Sequence, residues 1–65
     1  MYYVIYVESE EKYVTNSRLR SLGMWYSDDL LLAAPFSTIG EANQEIRNNW
    51  EAEGGVVHVV KSEKV

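Results

Sequence analysis

Two segments near opposite ends of the chain are apolar or aromatic on both faces that a β-strand would present. Residues 2–7 are aromatic or β-branched at every position, and residues 56–60 are four valines around His58. Successive side chains of a strand point to opposite faces, so both faces of either segment are apolar. A sheet with one solvated face normally carries polar residues there. The fold must therefore cover both faces or use one of them for binding.

The residues between these two strands predict a hairpin and then less regular structure. We expect residues 12–15 to form a second strand after a polar turn at 8–11, whose geometry lacks an Asn-Gly or Asp-Gly signal. Residues 24–26 favour a short strand. Segment 16–23 is compatible with either a helical turn or a loop. Because Pro35 biases Ala34 away from helical backbone, we expect residues 30–34 to form an extended edge segment.

One amphipathic helix is the best-defined element of the sequence. Thr38 and Glu41 have the spacing of a capping box, and Gly54 and Gly55 provide a helix stop. Apolar residues at spacings of three and four predict a buried stripe, formed by Ile39, Ala42, Ile46 and Trp50. We expect the opposite side to be solvated, with Glu41, Gln44, Asn48 and Glu51. Arg47 and Glu51 are spaced for a weak i,i+4 pair.

The predicted fold class is α+β. We expect residues 1–65 to form a single two-layer domain, with a mainly antiparallel sheet of three or four strands and one helix on one face, in the order β-β-(β)-α-β. The helix needs an apolar partner surface, which only the strands can provide. One helix covers one sheet face. Either residues 16–34 fold across the other face, or that face is a binding or dimer surface.

Composition excludes several kinds of site. The sequence has no cysteine and a single histidine, which leaves no disulfide, thiol nucleophile or recognisable metal-ligand spacing. It contains no phosphate loop or nucleophile elbow. Its paired carboxylates fall in expected turns or on the solvated helix surface, where no burial would separate their pKa values. We therefore expect a protein that is not an enzyme and binds no metal or cofactor.

Charge and hydropathy narrow the partners. Ten acidic residues against six basic ones give a net charge of −4, which disfavours contact with a phosphate backbone. Arg18 and Arg20, together with the tyrosines, keep single-stranded nucleic acid open as a lesser alternative. The apolar stretch 30–36 is too short to cross a membrane, and residues 1–4 lack the basic region of a signal peptide. We expect a cytoplasmic protein.

Several stretches resemble small uncharacterised proteins encoded by bacterial viruses and prophages. The resemblance is one of overall pattern, and its residues are Tyr2-Tyr3-Val4-Ile5, Lys12-Tyr13-Val14-Thr15, Trp25, the run from Ala33 to Ala42 and Val56-Val57-His58-Val59-Val60-Lys61. It implies a sheet-plus-helix module that binds and modulates or inhibits a host protein in the host cytoplasm. It carries over no functional residue.

The predicted function is therefore protein binding, and a structural homodimer is the alternative. Tyrosine and tryptophan suit contact surfaces because each combines a large apolar body with a polar tip. We expect the uncovered sheet face to provide Tyr2, Tyr6 and Tyr13, with Trp25 and Tyr26 close to it. The helix adds Glu41 and Glu45, whose carboxylates either imitate phosphates or simply solubilise the chain.

Overall fold

The computed structural model describes residues 1–61, and the predicted polar tail at 62–65 lies outside them. Four strands form one antiparallel sheet in the order β3-β2-β1-β4. The strands are β1 (Tyr2–Val7), β2 (Lys12–Val14), β3 (Tyr26–Ser27) and β4 (Gly55–Val60). The chain also forms two α-helices, α1 (Ser17–Ser21) and α2 (Ile39–Glu45). The predicted two-layer α+β class is confirmed.

The pairing of β1 with β4 divides the sheet into two chemically different faces. Ile5 lies opposite Val57 on the face that packs against the helix, whereas Tyr6 lies opposite Val56 on the other face. The core on the helix side combines strand and helix residues, namely Ile5, Val7, Val14, Ala42, Ile46 and Trp50. The predicted alternation of strand one is confirmed.

Helix α2 continues as a π-helical turn, Ile46–Trp50, which periodicity alone does not predict. Three residues of the expected stripe, Ala42, Ile46 and Trp50, are buried. Ile39 is 53% exposed at the first position of the helix, so its predicted burial is wrong. Arg47 donates to the Gln44 side chain at 3.4 Å rather than forming the expected pair with Glu51.

The undecided segment after β2 forms the short helix α1. Asn16 caps it by accepting a hydrogen bond from the Leu19 N–H at 3.0 Å, and Gly23 follows it with a φ of +88°. Thr15 anchors the next loop, because its N–H donates to the Trp25 carbonyl and its hydroxyl to the Met24 carbonyl. The short strand β3 lies slightly later than expected.

The segment around Pro35 differs from the expected extended edge. Leu30–Leu32 forms a 3₁₀ turn because Asp29 accepts a hydrogen bond from the Leu31 N–H at 3.0 Å. The chain then becomes extended and joins two strands instead of lying at an edge. Phe36 exchanges both backbone hydrogen bonds with Tyr3, and the Ala34 N–H donates to the Val14 carbonyl.

No helix of residues 1–61 has the length and apolar character to span a membrane.

Candidate functional site

The sheet face opposite α2 carries an aromatic cluster. The rings of Tyr6 and His58 stack with centroids 5.0 Å apart and planes 11° from parallel. Tyr13 meets Tyr6 edge to face at 5.3 Å. Tyr2 shares this face but lies opposite Val60, four residues along β1. The structure therefore brings Tyr6 and Tyr13 together and leaves Tyr2 near the other end of the strand.

This aromatic face is only partly open. Val4 lies between Tyr2 and Tyr6 along the same face and has no exposed surface. Thr15 is also completely buried, and Ala33 in the adjoining segment is nearly so. The tyrosines are half-buried and His58 is exposed. Part of the second face is therefore buried, and an aromatic surface remains. The use of that surface for binding or dimerisation stays a prediction.

Trp25 and Tyr26 lie on the helix side, so the expectation that they lie close to the tyrosines of the other face is wrong. Tyr26 pairs with Val14, whose side chain belongs to the helix-side core, and therefore shares its face. Its ring meets Trp50 edge to face with centroids 5.6 Å apart. Trp25 approaches the same indole at 6.1 Å. The three rings form a second aromatic cluster on the opposite side of the molecule.

An open groove of about 680 Å³ passes over this second cluster. Three parts of the chain form its walls: the start of β2 with the preceding turn, the loop that enters β3, and the end of the helical segment. The groove is lined by Glu10, Lys12, Gly23, Met24, Trp25, Tyr26, Asn49, Trp50 and Glu53. We call it the Trp25 groove. It unites residues that are distant in sequence, and no local motif indicates it.

Main-chain contacts hold two walls of the Trp25 groove together. The Ser9 N–H donates to the Glu53 carbonyl at 3.4 Å, and the Glu8 N–H donates to the Gly54 carbonyl at 3.2 Å. Gly54 has a φ of +80°, which lets the chain reverse at this point. These contacts bring the β1–β2 turn against the end of the helical segment.

Trp50 forms a buried part of the groove wall and is 6% exposed. A Cβ on Gly55 would lie 2.9 Å from the Trp50 Cβ and 3.1 Å from the Trp50 carbonyl oxygen, so the absence of a side chain there allows β4 to approach the end of the helical segment closely. The Trp50 Nε1 is buried and has no hydrogen-bond partner among residues 1–61. An unpaired buried donor is costly, by about 1–3 kcal/mol.

The groove has an acidic character that affects Tyr26. Burial raises the pKa of the Tyr26 hydroxyl above its ordinary 10.0, and the charges of Glu10 and Glu53 raise it further. Both carboxylates therefore exert a negative potential in the groove. Lys12 contributes the one positive charge among the lining residues.

The helix carboxylates named as contact residues have partners within the chain. Glu41 accepts hydrogen bonds from the N–H and hydroxyl of Ser37 at 3.3 and 3.0 Å. Glu45 accepts from Arg20 at 3.5 Å and from the Asn49 amide at 3.1 Å. Arg20 thus forms an ion pair with Glu45, which leaves less basic surface for binding single-stranded nucleic acid. Within residues 1–61, no three His, Cys, Asp or Glu side chains are grouped as metal ligands would be.

The geometry defines a small two-layer α+β protein with two aromatic surfaces, one on each side of its sheet. No known family model, curated protein or solved structure matches the sequence.

Proposed function

We propose that this protein is a small, non-enzymatic binding module that holds a segment of a partner protein in the Trp25 groove and thereby modulates or inhibits the partner. The observation that carries the proposal is Trp25 itself, which is 49% exposed in an open groove and rests against the buried Trp50. Tryptophan is among the residues that contribute most to protein interfaces. Met24, beside it in the groove, is exposed to the same extent.

The groove is large enough to hold a few side chains of a partner segment. A volume of about 680 Å³ is within the range of sites that enclose a few side chains or a small ligand. A half-exposed indole supported by a second ring loses little conformational freedom on binding, which favours affinity. Inhibition of a host protein is the form of activity that the pattern resemblance to phage-encoded modules suggests.

The proposal is tested by comparing wild type with Trp25→Ser, using Leu31→Ser as the matched control. Leu31 is 86% exposed and is not a lining residue of the groove. Proteins captured from a bacterial lysate by wild type are purified, and their affinities for wild type and both variants are measured by calorimetry. We expect Trp25→Ser to weaken binding by roughly tenfold or more, and Leu31→Ser to leave it unchanged. Equal binding by all three proteins contradicts the proposal.

A homodimer is the second candidate function, and the aromatic face opposite α2 is the observation that favours it. Tyr6, Tyr13 and the exposed His58 form a surface that α2 does not cover, and a symmetric dimer is the commonest way to bury such a face. Light scattering over a concentration series tests it. A mass twice the 7.5 kDa of the chain that returns to the monomer value in Tyr6→Ser supports the dimer. A constant monomer mass removes it.

A further inference from the structure

We infer that the Trp25 groove recognises a basic side chain within the bound segment, with the cation against the Trp25 ring and paired with the carboxylates of Glu10 and Glu53. The inference rests on the proposed function and names the chemistry of the partner. It joins two features of the same groove in one recognition site. These are the half-exposed indole of Trp25 and the carboxylates of Glu10 and Glu53, which we call the acidic rim.

The two carboxylates have no positive partner in the described part of the chain. Among residues 1–61 the only ion pair joins Arg20 to Glu45, so neither Glu10 nor Glu53 is neutralised by direct contact. Both side chains line the groove, with Lys12 as the only opposing charge. The groove therefore carries a net negative charge that a basic side chain would complement.

The position of the carboxylates depends on the main chain. Glu10 belongs to the β1–β2 turn, and Glu53 follows the helical segment. The hydrogen bonds from Ser9 to the Glu53 carbonyl and from Glu8 to the Gly54 carbonyl join these two regions. The pKa of Tyr26, raised in part by both charges, is consistent with their common proximity to the groove. The acidic rim is therefore a product of the fold.

The aromatic wall is suited to a cation. The Trp25 ring is half exposed and is supported by the Trp50 ring at 6.1 Å and an interplanar angle of 59°. Tryptophan is the most favourable aromatic residue for cation–π contact, and the arginine guanidinium can stack on its face while pairing with a carboxylate.

The wall of the groove includes a tryptophan whose buried N–H has no hydrogen-bond partner in the described part of the chain. Trp50 is more than nine-tenths buried, lines the groove, and has no partner at Nε1 among residues 1–61. A peptide brings carbonyl acceptors together with its side chain, whereas a free cation does not. A peptide carbonyl would meet this N–H only if the Trp50 ring moved on binding, so the preference for a basic residue rests on Trp25, Glu10 and Glu53.

Other classes of segment fit less well for electrostatic reasons. An acidic segment would place like charges beside Glu10 and Glu53. A purely apolar segment would remove water from both carboxylates without replacing it by any partner, which costs free energy. A basic side chain avoids both penalties.

The test is a titration of the ¹⁵N-labelled protein with capped pentapeptides that have arginine, leucine or glutamate at the centre of a Gly/Ser sequence. The indole N–H signals of Trp25 and Trp50 report on the groove directly. We expect the arginine peptide to shift the Trp25 signal saturably, with weaker binding at high salt, and the other two peptides to bind far more weakly.

The decisive variant is the double substitution Glu10→Gln and Glu53→Gln, which keeps the size of both side chains. We expect it to weaken arginine-peptide binding by about threefold to tenfold. Its control is Asp28→Asn with Glu51→Gln, which removes the same charge at exposed positions that do not line the groove, and which we expect to bind like wild type.

Each outcome decides between the alternatives. Equal loss in both double variants shows a general charge effect and overturns the inference. Leucine-peptide binding as tight as arginine-peptide binding also overturns it, while leaving the Trp25 groove as a binding site. A titration in which no peptide shifts either indole signal overturns it as well. The proposed function is judged separately, by the effect of Trp25→Ser on the purified partner protein.

Discussion

Glu11 has a left-handed backbone conformation, which is unusual for glutamate. Its φ is +55°, and it closes a turn in which its own N–H donates to the Glu8 carbonyl at 3.3 Å. Left-handed backbone is rare for residues other than glycine, asparagine and aspartate. The sequence therefore indicates where the turn lies, through four polar residues between two strands, but gives no signal for its shape.

Replacing Glu11 by glycine should stabilise the protein relative to replacing it by alanine. Both substitutions remove the same charge, but only glycine relieves the left-handed strain. We expect Glu11→Gly to be more stable than Glu11→Ala by roughly 0.5–1 kcal/mol. Urea unfolding followed by circular dichroism measures the difference. Alanine equal to glycine would contradict a strained Glu11.

Helix α2 begins where its sequence predicts, but its continuation as a π-helical turn is not predicted by its sequence. Its start is predicted by sequence because the Thr38 hydroxyl accepts from the Glu41 N–H at 3.1 Å, as a capping box requires. The Glu41 carboxylate accepts the reciprocal hydrogen bond from the Ser37 N–H, one residue before the Thr38 N–H that a capping box would use. The π-helical turn is not predicted because Ile46 and Trp50 keep an ordinary helical spacing in sequence.

Removal of the cap should cost about 1 kcal/mol of unfolding free energy in Thr38→Ala. The protein loses stability because the Glu41 N–H, in the first turn of α2, no longer has the Thr38 hydroxyl as its hydrogen-bond acceptor. Thr38→Ser keeps a hydroxyl at the same position and is expected to retain most of the stability. Denaturant unfolding of the three proteins provides the measurement. Equal loss in the serine and alanine variants would assign the effect to the threonine methyl group.

At the scale of the whole molecule, pairing between distant segments determines the sites. The alternation within β1 predicts that Tyr2 and Tyr6 share a face, and the structure agrees. The side occupied by Tyr26 depends on its pairing with Val14, which no short-range pattern encodes. The Trp25 groove depends further on the contact between the β1–β2 turn and the end of the helical segment. The position of the aromatic face opposite α2 could thus be predicted from the sequence, whereas the position of the Trp25 groove could not.

The two tryptophans should differ sharply in their contribution to stability. Trp50 is 6% exposed and Trp25 is 49% exposed. We expect Trp50→Ala to cost roughly 3–5 kcal/mol, which is a large part of the stability of so small a domain. Trp25→Ala should cost much less, because half of its side chain is already in water. Thermal unfolding by circular dichroism compares them, and similar losses would show that burial in the groove wall is not the source of the effect.

The strand order places β4 at one margin of the sheet, with β1 as its single neighbour. Five of its six residues are Val or His, with little charge to discourage lateral pairing. That margin offers main-chain donors and acceptors to any extended polypeptide that meets it. In concentrated solution, unwanted assembly should therefore start along β4, and a lysine or proline introduced there would be the first measure against it.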